Sequence, residues 1–433
     1  MPFTLLILGL LLLVTPVTII FDDNLIVQGV VAAIAATSVA VAAVRIPHEE
    51  ADFLSAVIRP VVLVAFIPAI WMVVQVMPLQ GIELANPIWQ SAAAALGKPL
   101  AGSISVDPGV TLISLARYLS VIAIAFVAAA AAVDRQRAEW ILFALVATTA
   151  LISLMALAAK LGLISSLVED ERASITAIDC AGLGVIFAAA AAYHMSEQSN
   201  RRRSTRTSPL SRSAPAFTFC VAALAICVIV VVLNAEIQGY LAIICGVAAF
   251  TIAVIIRRLG LGAWAIAAIV SLAVLFTTAI IAFQVKNRSV DLTLAFAMHS
   301  SESAIAIAQR LLVEAGWSGT GAGTFAAILP IYRGIGEIAT GDSAPTAAAA
   351  ISVEMGRPFF WATMMAAIAL VVAFMRGALR RQRDSAYSIA GASCIVATAL
   401  QSFDNSAFLS TSVSMIAAVA IGTAIAQSRS RLG

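Results

Sequence analysis

Along most of the chain, runs of about twenty apolar residues alternate with short polar or basic punctuation. This pattern predicts membrane-spanning helices over 3–21, 25–44, 54–77, 110–133, 139–160, 175–195, 215–233, 239–256, 262–283, 358–375, 386–403 and 406–427. Each is long enough, at a helical rise of about 1.5 Å per residue, to cross most of a hydrocarbon layer about 30 Å thick. The first run begins almost at Met1, and no small-residue cleavage site separates it from the second. It reads as a retained helix and not as a removed leader. Three longer polar stretches interrupt the pattern: 78–109, the basic stretch 196–214, and 284–357.

Composition sets the class. The 433 residues are 61% hydrophobic and 11% charged, and the mean hydropathy is +1.01. Soluble domains sit near half apolar and about a quarter charged. The expected fold class is therefore an all-α polytopic membrane protein, one domain over 1–433 with about twelve spans. With the N-terminus inside, Arg45, Arg135, Arg137, "NRRRSTR" with Arg212, Arg257, Arg258, "RGALRRQR" and the final "SRSR" all fall on the inner side. That asymmetry is the positive-inside bias, and it predicts both termini inside and the loops 78–109 and 284–357 outside. The arginine run at 201–203 reads as an anchor beside anionic headgroups, with no nucleic-acid partner. Cys180, Cys220, Cys227, Cys245 and Cys394 all lie in spans and read as small packing residues.

The outer loop 284–357 carries the most distinctive chemistry. "SSESAIAIAQRLLVEAG" has apolar residues at 304, 305, 308, 311, 312 and 315, the spacing of a helix. Ser300 or Ser301 can cap it, Gly316 can end it, and Arg310 and Glu314 share one of its faces. "GWSGTGAGTF" follows, with Gly319, Gly321 and Gly323 free to take positive φ. Such a turn either converges its amides on an anion or is a tight bend at the membrane surface. No Lys-Ser/Thr pair follows and no strand precedes it, which excludes a nucleotide-binding P-loop. "TAAAAISVEMG" then predicts a short helix, with Pro345 near its first turn, Gly356 as its stop and an N-terminus suited to an anion.

In that order, an arginine-bearing helix, a G-x-G-x-G-x-F turn and a short helix ending E-x-G before a span, the loop resembles the O-antigen ligase/O-antigen polymerase superfamily. The first outer loop, "NPIWQSAAAALGKPLAGSISVDPG", is similar to that of exopolysaccharide polymerase-like members. The resemblance implies a GT-C type membrane glycosyltransferase of the bacterial inner membrane, with its large periplasmic loop between the ninth and tenth spans. It implies transfer of sugar from undecaprenyl-pyrophosphate-linked glycan at the periplasmic face, with arginines and no metal or other cofactor holding the leaving group. The implied partners are that lipid-linked glycan, membrane lipids, and polysaccharide export or chain-length proteins.

Carried residue by residue, Arg310 matches the arginine before the glycine turn, Arg172 the arginine opening the sixth span, and Glu354 and Gly356 the E-x-G pair. Two positions depart from the family. Ile237 and Gln238 stand where an arginine is expected, and Pro345-Thr346 stands where the family has its catalytic His-Asn. Glu354 and Asp342 become the expected catalytic acids, and Arg172, Arg310, Arg333 and Arg117 the expected pyrophosphate-binding cations. Arg357, Lys286, Arg288, His299 and Glu236 are further outer-side candidates. Arg59, Arg117, Lys160 and Asp179 are charges within spans, with Arg117 expected to meet the lipid pyrophosphate or Asp179.

The expected activity is polymerisation of lipid-linked repeat units, with ligation of glycan to lipid A core as the alternative. A transporter or flippase, or a non-catalytic export partner, is the rival. The span count suits a transporter, but the two long outer loops and the lack of visible symmetry between halves do not.

Overall fold

The computed structural model describes residues 2–22, 24–45, 48–79, 84–163, 171–204, 214–234, 237–259, 291–297, 300–333, 343–380, 385–428. Among these residues every regular element is helical. The long helices are α1 (Pro2–Ile20), α2 (Leu25–Arg45), α3 (His48–Val76), α5 (Pro108–Ala131), α6 (Arg135–Lys160), α7 (Glu171–Ser204), α8 (Ala214–Asn234) and α9 (Ile237–Leu259). After the outer loop come α13 (Arg357–Arg380), α14 (Ser385–Asp404) and α15 (Thr411–Ser428). Ten of these are long and apolar enough to cross a membrane, and α1 adds a shorter apolar stretch, Leu8–Ile20. The chain is a polytopic membrane protein of helices. The segment 262–283, expected as the ninth span, lies outside the described residues.

Local chemistry fixes several helix starts. Asp107 accepts hydrogen bonds from Gly109 N and Val110 N, with Pro108 as the first residue of α5, and Asp134 accepts from Gln136 N at the start of α6. Both are side-chain caps for amides with no partner inside the helix. Two boundaries differ from the sequence expectation. The stretch 196–214 is not all loop, because α7 continues to Ser204 through "SEQSNRRRS", which contains no Gly or Pro to stop it. The last span starts at Thr411 and not at 406, since Ala407–Leu409 winds as a 3-10 turn.

The helices sort by polarity. α14 and α15 are the least apolar spans, and with α7 they are the most buried, while α13 is the least buried. Lipid is as apolar as leucine, so packing between spans relies on small and polar side chains. α15 lies along α5 and α14, α14 along α9 and α13, and α7 along α6 and α8. A Cβ on Gly422 of α15 would sit 2.2 Å from the Ala125 carbonyl oxygen of α5. One on Gly391 of α14 would sit 2.3 Å from Ala424 Cβ of α15. These helices touch backbone to backbone where glycine allows it.

Four short helices decorate one end of the bundle: α4 (Ile88–Leu96) in the first outer loop, then α10 (Glu302–Glu314), α11 (Phe325–Tyr332) and α12 (Ala347–Glu354). The last three build a small core from Leu294, Ile307, Leu311, Phe325, Leu329 and Val353. Met72, Ala322 and Met355 pack beneath it, joined by Trp71, Leu115 and Phe359. The cap is thus seated on the ends of α3, α5 and α13.

Candidate functional site

The glycine turn is the centre of this cap. Thr320 N donates to Val353 O at 3.0 Å, Gly321 N to Glu354 O at 3.0 Å, and Gly319 N to Gly316 O at 3.1 Å. Ala322 N donates to Gln75 Oε1 at 3.2 Å, and Phe325 N to Glu354 Oε1 at 3.2 Å. The Gly323 amide also bonds the Glu354 carboxyl. The anion that this turn gathers its last amides around is therefore a side chain of the protein itself. Positive φ at Gly319, Gly321 and Gly323 lets the turn fold so closely.

The fit is tight on both sides. A Cβ on Gly319 would lie 2.2 Å from Glu354 O, and one on Gly356 would lie 2.0 Å from Trp317 O. Gly321 and Gly323 press on Ser105 and Ser114 in the same way. The turn is interlocked with the end of α12 and the start of α5, with Val106 N donating to Thr320 O at 2.9 Å.

Gln75 ties this knot to the membrane bundle. It is fully buried near the end of α3. Its Nε2 donates to Ser318 O at 3.1 Å and Glu354 O at 2.8 Å. Its own carbonyl accepts from Ser105 N at 2.9 Å. Trp71, one turn earlier, donates from Nε1 to Met355 O at 3.2 Å. Neither residue stood out in the sequence. The available signal was a single amide in the apolar run "WMVVQVM", since a buried polar side chain in a span must find partners.

Burial pushes the Glu354 carboxyl up from 4.5 to about 7, against the amides of Gly323 and Phe325 and the charge of Arg117, which all favour the ionised form. A carboxyl poised near neutrality is suited to proton transfer. Arg117 is close enough to act on it, and is itself held by Asp22 at 3.4 Å and by the Leu409 carbonyl. Asp22 Oδ1 also accepts from Thr411 N at 2.8 Å, locking the end of α1 to the start of α15. The expected Arg117–Asp179 contact is absent. Asp179 is bonded by Gln401 Nε2 at 3.1 Å instead.

The remaining candidates are dispersed. Arg310 is exposed on α10 with no hydrogen bond or ion pair among the described residues, and Glu314 on the same face accepts from Tyr332 OH at 2.6 Å. Arg172 is exposed at the start of α7, and Arg333 is half-buried after α11. Arg357 pairs with Asp291 at 3.0 Å and not with Glu354. Arg59 is exposed on α3, and Lys160 reaches the Leu233 carbonyl. Asp342, Lys286, Arg288, His299 and Glu236 lie outside the described residues.

The start of α12 is closed to a ligand: Thr346 Oγ1 accepts from Ala349 N at 3.0 Å and Ala347 N donates to Asn405 O at 2.9 Å. The expected anion site there is filled by the chain's own oxygens. No group of three His, Cys, Asp or Glu that could hold a metal ion occurs among the described residues.

Fold and site together define a polytopic helical membrane protein. Its loop cap carries a carboxyl, Glu354, that burial raises toward neutrality and that Arg117 of α5 acts on more weakly. Set against known proteins, the chain matches no family model and no curated relative.

Proposed function

We propose that this protein is a membrane glycosyltransferase that extends polyprenyl-pyrophosphate-linked glycan, with Glu354 as its general base. The observation that carries this reading is the Glu354 carboxyl held by the Phe325 and Gly323 amides of the glycine turn, with the charge of Arg117, itself paired with Asp22, acting on it more weakly. In this scheme an acceptor hydroxyl attacks the anomeric carbon of the lipid-linked sugar, its proton passes to Glu354, and the bond to the diphosphate breaks. Arg117 and the exposed Arg310 and Arg172 lie toward the cap end of the bundle by the alternation of the helices, where they meet the charge of the departing diphosphate. The motif order of the outer loop supports the O-antigen ligase/polymerase likeness and a GT-C type arrangement. The arginine asymmetry supports an inner-membrane protein with both termini cytoplasmic and this cap in the periplasm.

The test is purified protein in lipid vesicles supplied with lipid-linked repeat units. Longer glycans on the carrier lipid are expected. Transfer of unextended or long chains to a lipid A core acceptor would make it a ligase. Glycans unchanged in length but moved across the bilayer would replace the reading with transport.

A further inference from the structure

Two carboxyls are buried among the spans, Asp179 on α7 and Asp404 at the end of α14, each 3% exposed. Gln401, 1% exposed and one turn before Asp404, turns its amide group onto Asp179 Oδ1. The side chain of Asn405 lies against the same carboxyl. Yet Asp179 Oδ2 and Gln401 Oε1 are both buried acceptors with no hydrogen-bond donor among the described residues. Among the described residues no cation pairs with Asp179, because Arg117 is taken by Asp22. An ionised carboxylate here would carry an unanswered lone pair in a low-dielectric core beside a second acid. A neutral acid would not, since its own O–H supplies the missing donor.

We propose that Asp179, Gln401 and Asp404 form an intramembrane proton-binding site, with the proton carried on Asp179 Oδ2. Few titratable groups act on it, although α14 also carries Cys394 about three turns and Tyr387 about five turns before Asp404. Asp404 comes from α14, Cys180 from α7 itself and Cys227 from α8. Arg172 lies two turns earlier on α7, Lys160 is bonded to the Leu233 carbonyl, and Tyr240 of α9 donates to Val232 O. Further along α7, Gly182 packs against Ile243 of α9 and Gly184 against Thr149 of α6. α1 and α15 carry no titratable side chain within their helices.

The site is wired to the cap. Asn405 O receives Ala347 N, the first residue of the helix that ends in Glu354, and Asn405 Oδ1 receives Ala407 N at 2.8 Å. The turn begun there ends at Leu409, whose carbonyl holds Arg117. A change of charge at Asp179 therefore reaches the supports of both Glu354 and Arg117.

Infrared spectroscopy of the full-length protein in lipid nanodiscs tests this. The Glu354→Gln background is used, because Glu354 itself titrates near neutrality. At neutral pH the carbonyl stretch of a protonated buried carboxyl is expected in Glu354→Gln. It should be lost in Glu354→Gln/Asp179→Asn and moved in frequency in Glu354→Gln/Asp179→Glu. The last variant keeps the test decisive if the asparagine protein does not fold. A band unchanged by either substitution at Asp179 would overturn the proposal. So would a band abolished on replacing potassium with sodium, which would make this a sodium site. The readout does not involve glycan transfer, so its outcome is independent of the function proposed above.

Discussion

In the function proposed above Glu354 takes the proton, and its behaviour with pH is specific. Its carboxyl keeps a proton up to about 7, whereas the unfolded chain releases it near 4.5. The folded state thus binds more protons between those values. Stability should fall as pH rises from about 4.5 to about 7, by at most about 1.4 kcal/mol per pH unit, and then level off. Glu354→Gln should abolish that slope in thermal unfolding scans. The same change should lower glycan transfer about 10²–10⁴-fold, and the wild-type rate should rise with pH through about 7 as the base ionises. A rate that stays level across that range would remove Glu354 from the role. The glycines give a second contrast. Gly97 has φ +61° and open space around it, whereas Gly319 has φ +76° and the Glu354 carbonyl in its way. Gly97→Ala should cost about 1 kcal/mol, and Gly319→Ala about 2–6 kcal/mol from strain and overlap together, both read from thermal melts. The sequence made positive φ foreseeable at Gly319, Gly321 and Gly323, though not at Gly97, and it did not show the partner: the amides serve a carboxylate that lies about thirty residues further along the chain.

At the scale of elements, the cap is tied to α3 by Gln75 and Trp71, and Gln75 makes most of those bonds. Gln75→Leu keeps the size and removes the amide, leaving Ser318 O and Ala322 N without the partners they now have. At about 1–3 kcal/mol for each buried group left unsatisfied, the loss should be about 2–6 kcal/mol. It should appear as an earlier unfolding step reported by the fluorescence of Trp71 and Trp317, whose rings lie 6.4 Å apart across this joint. The helices that the sequence made legible were those with their own signals. α10 has an apolar stripe and Ser301 as cap, and α12 has Thr346 before it and Gly356 after it. α4 and α11 were not legible, for physical reasons. α4 is only nine residues long and buries none of them fully, so its short stripe of Trp89, Ala92 and Ala93 is easily missed, and α11 carries Pro330 inside a short apolar run. Pairings across the bundle were the least legible. Arg117 meets Asp22, 95 residues away, because α1 and α5 are brought to the same membrane level beside α15. Nothing in local spacing distinguishes that acid from Asp179.

Among the described residues the two least apolar spans, α14 and α15, are among the most buried and the more apolar α13 is the least, and the charge asymmetry supports one orientation across the bilayer. The cap end carries Glu354 and its glycine turn, and the opposite end carries Arg257 and Arg258. There Arg257 pairs with Glu197 at 2.8 Å and Arg258 stacks on the Tyr193 ring. The positive-inside bias favours the Arg257 end in the cytoplasm, and the function proposed above requires the cap to face out. All five native cysteines lie in spans and are free, so a cysteine-free background can be made from small apolar or hydroxyl replacements. Single cysteines then report each face. Val313 on α10 is 74% exposed and Leu96 on α4 is 64% exposed, while Leu259 at the end of α9 is 67% exposed. A maleimide that cannot cross membranes should label Val313→Cys and Leu96→Cys in intact spheroplasts, and Leu259→Cys only after permeabilisation. The opposite pattern would put the glycine turn and Glu354 in the cytoplasm. There a lipid-linked glycan displayed on the outer leaflet could not reach them, and a role in extending it would fail however the individual residues titrate.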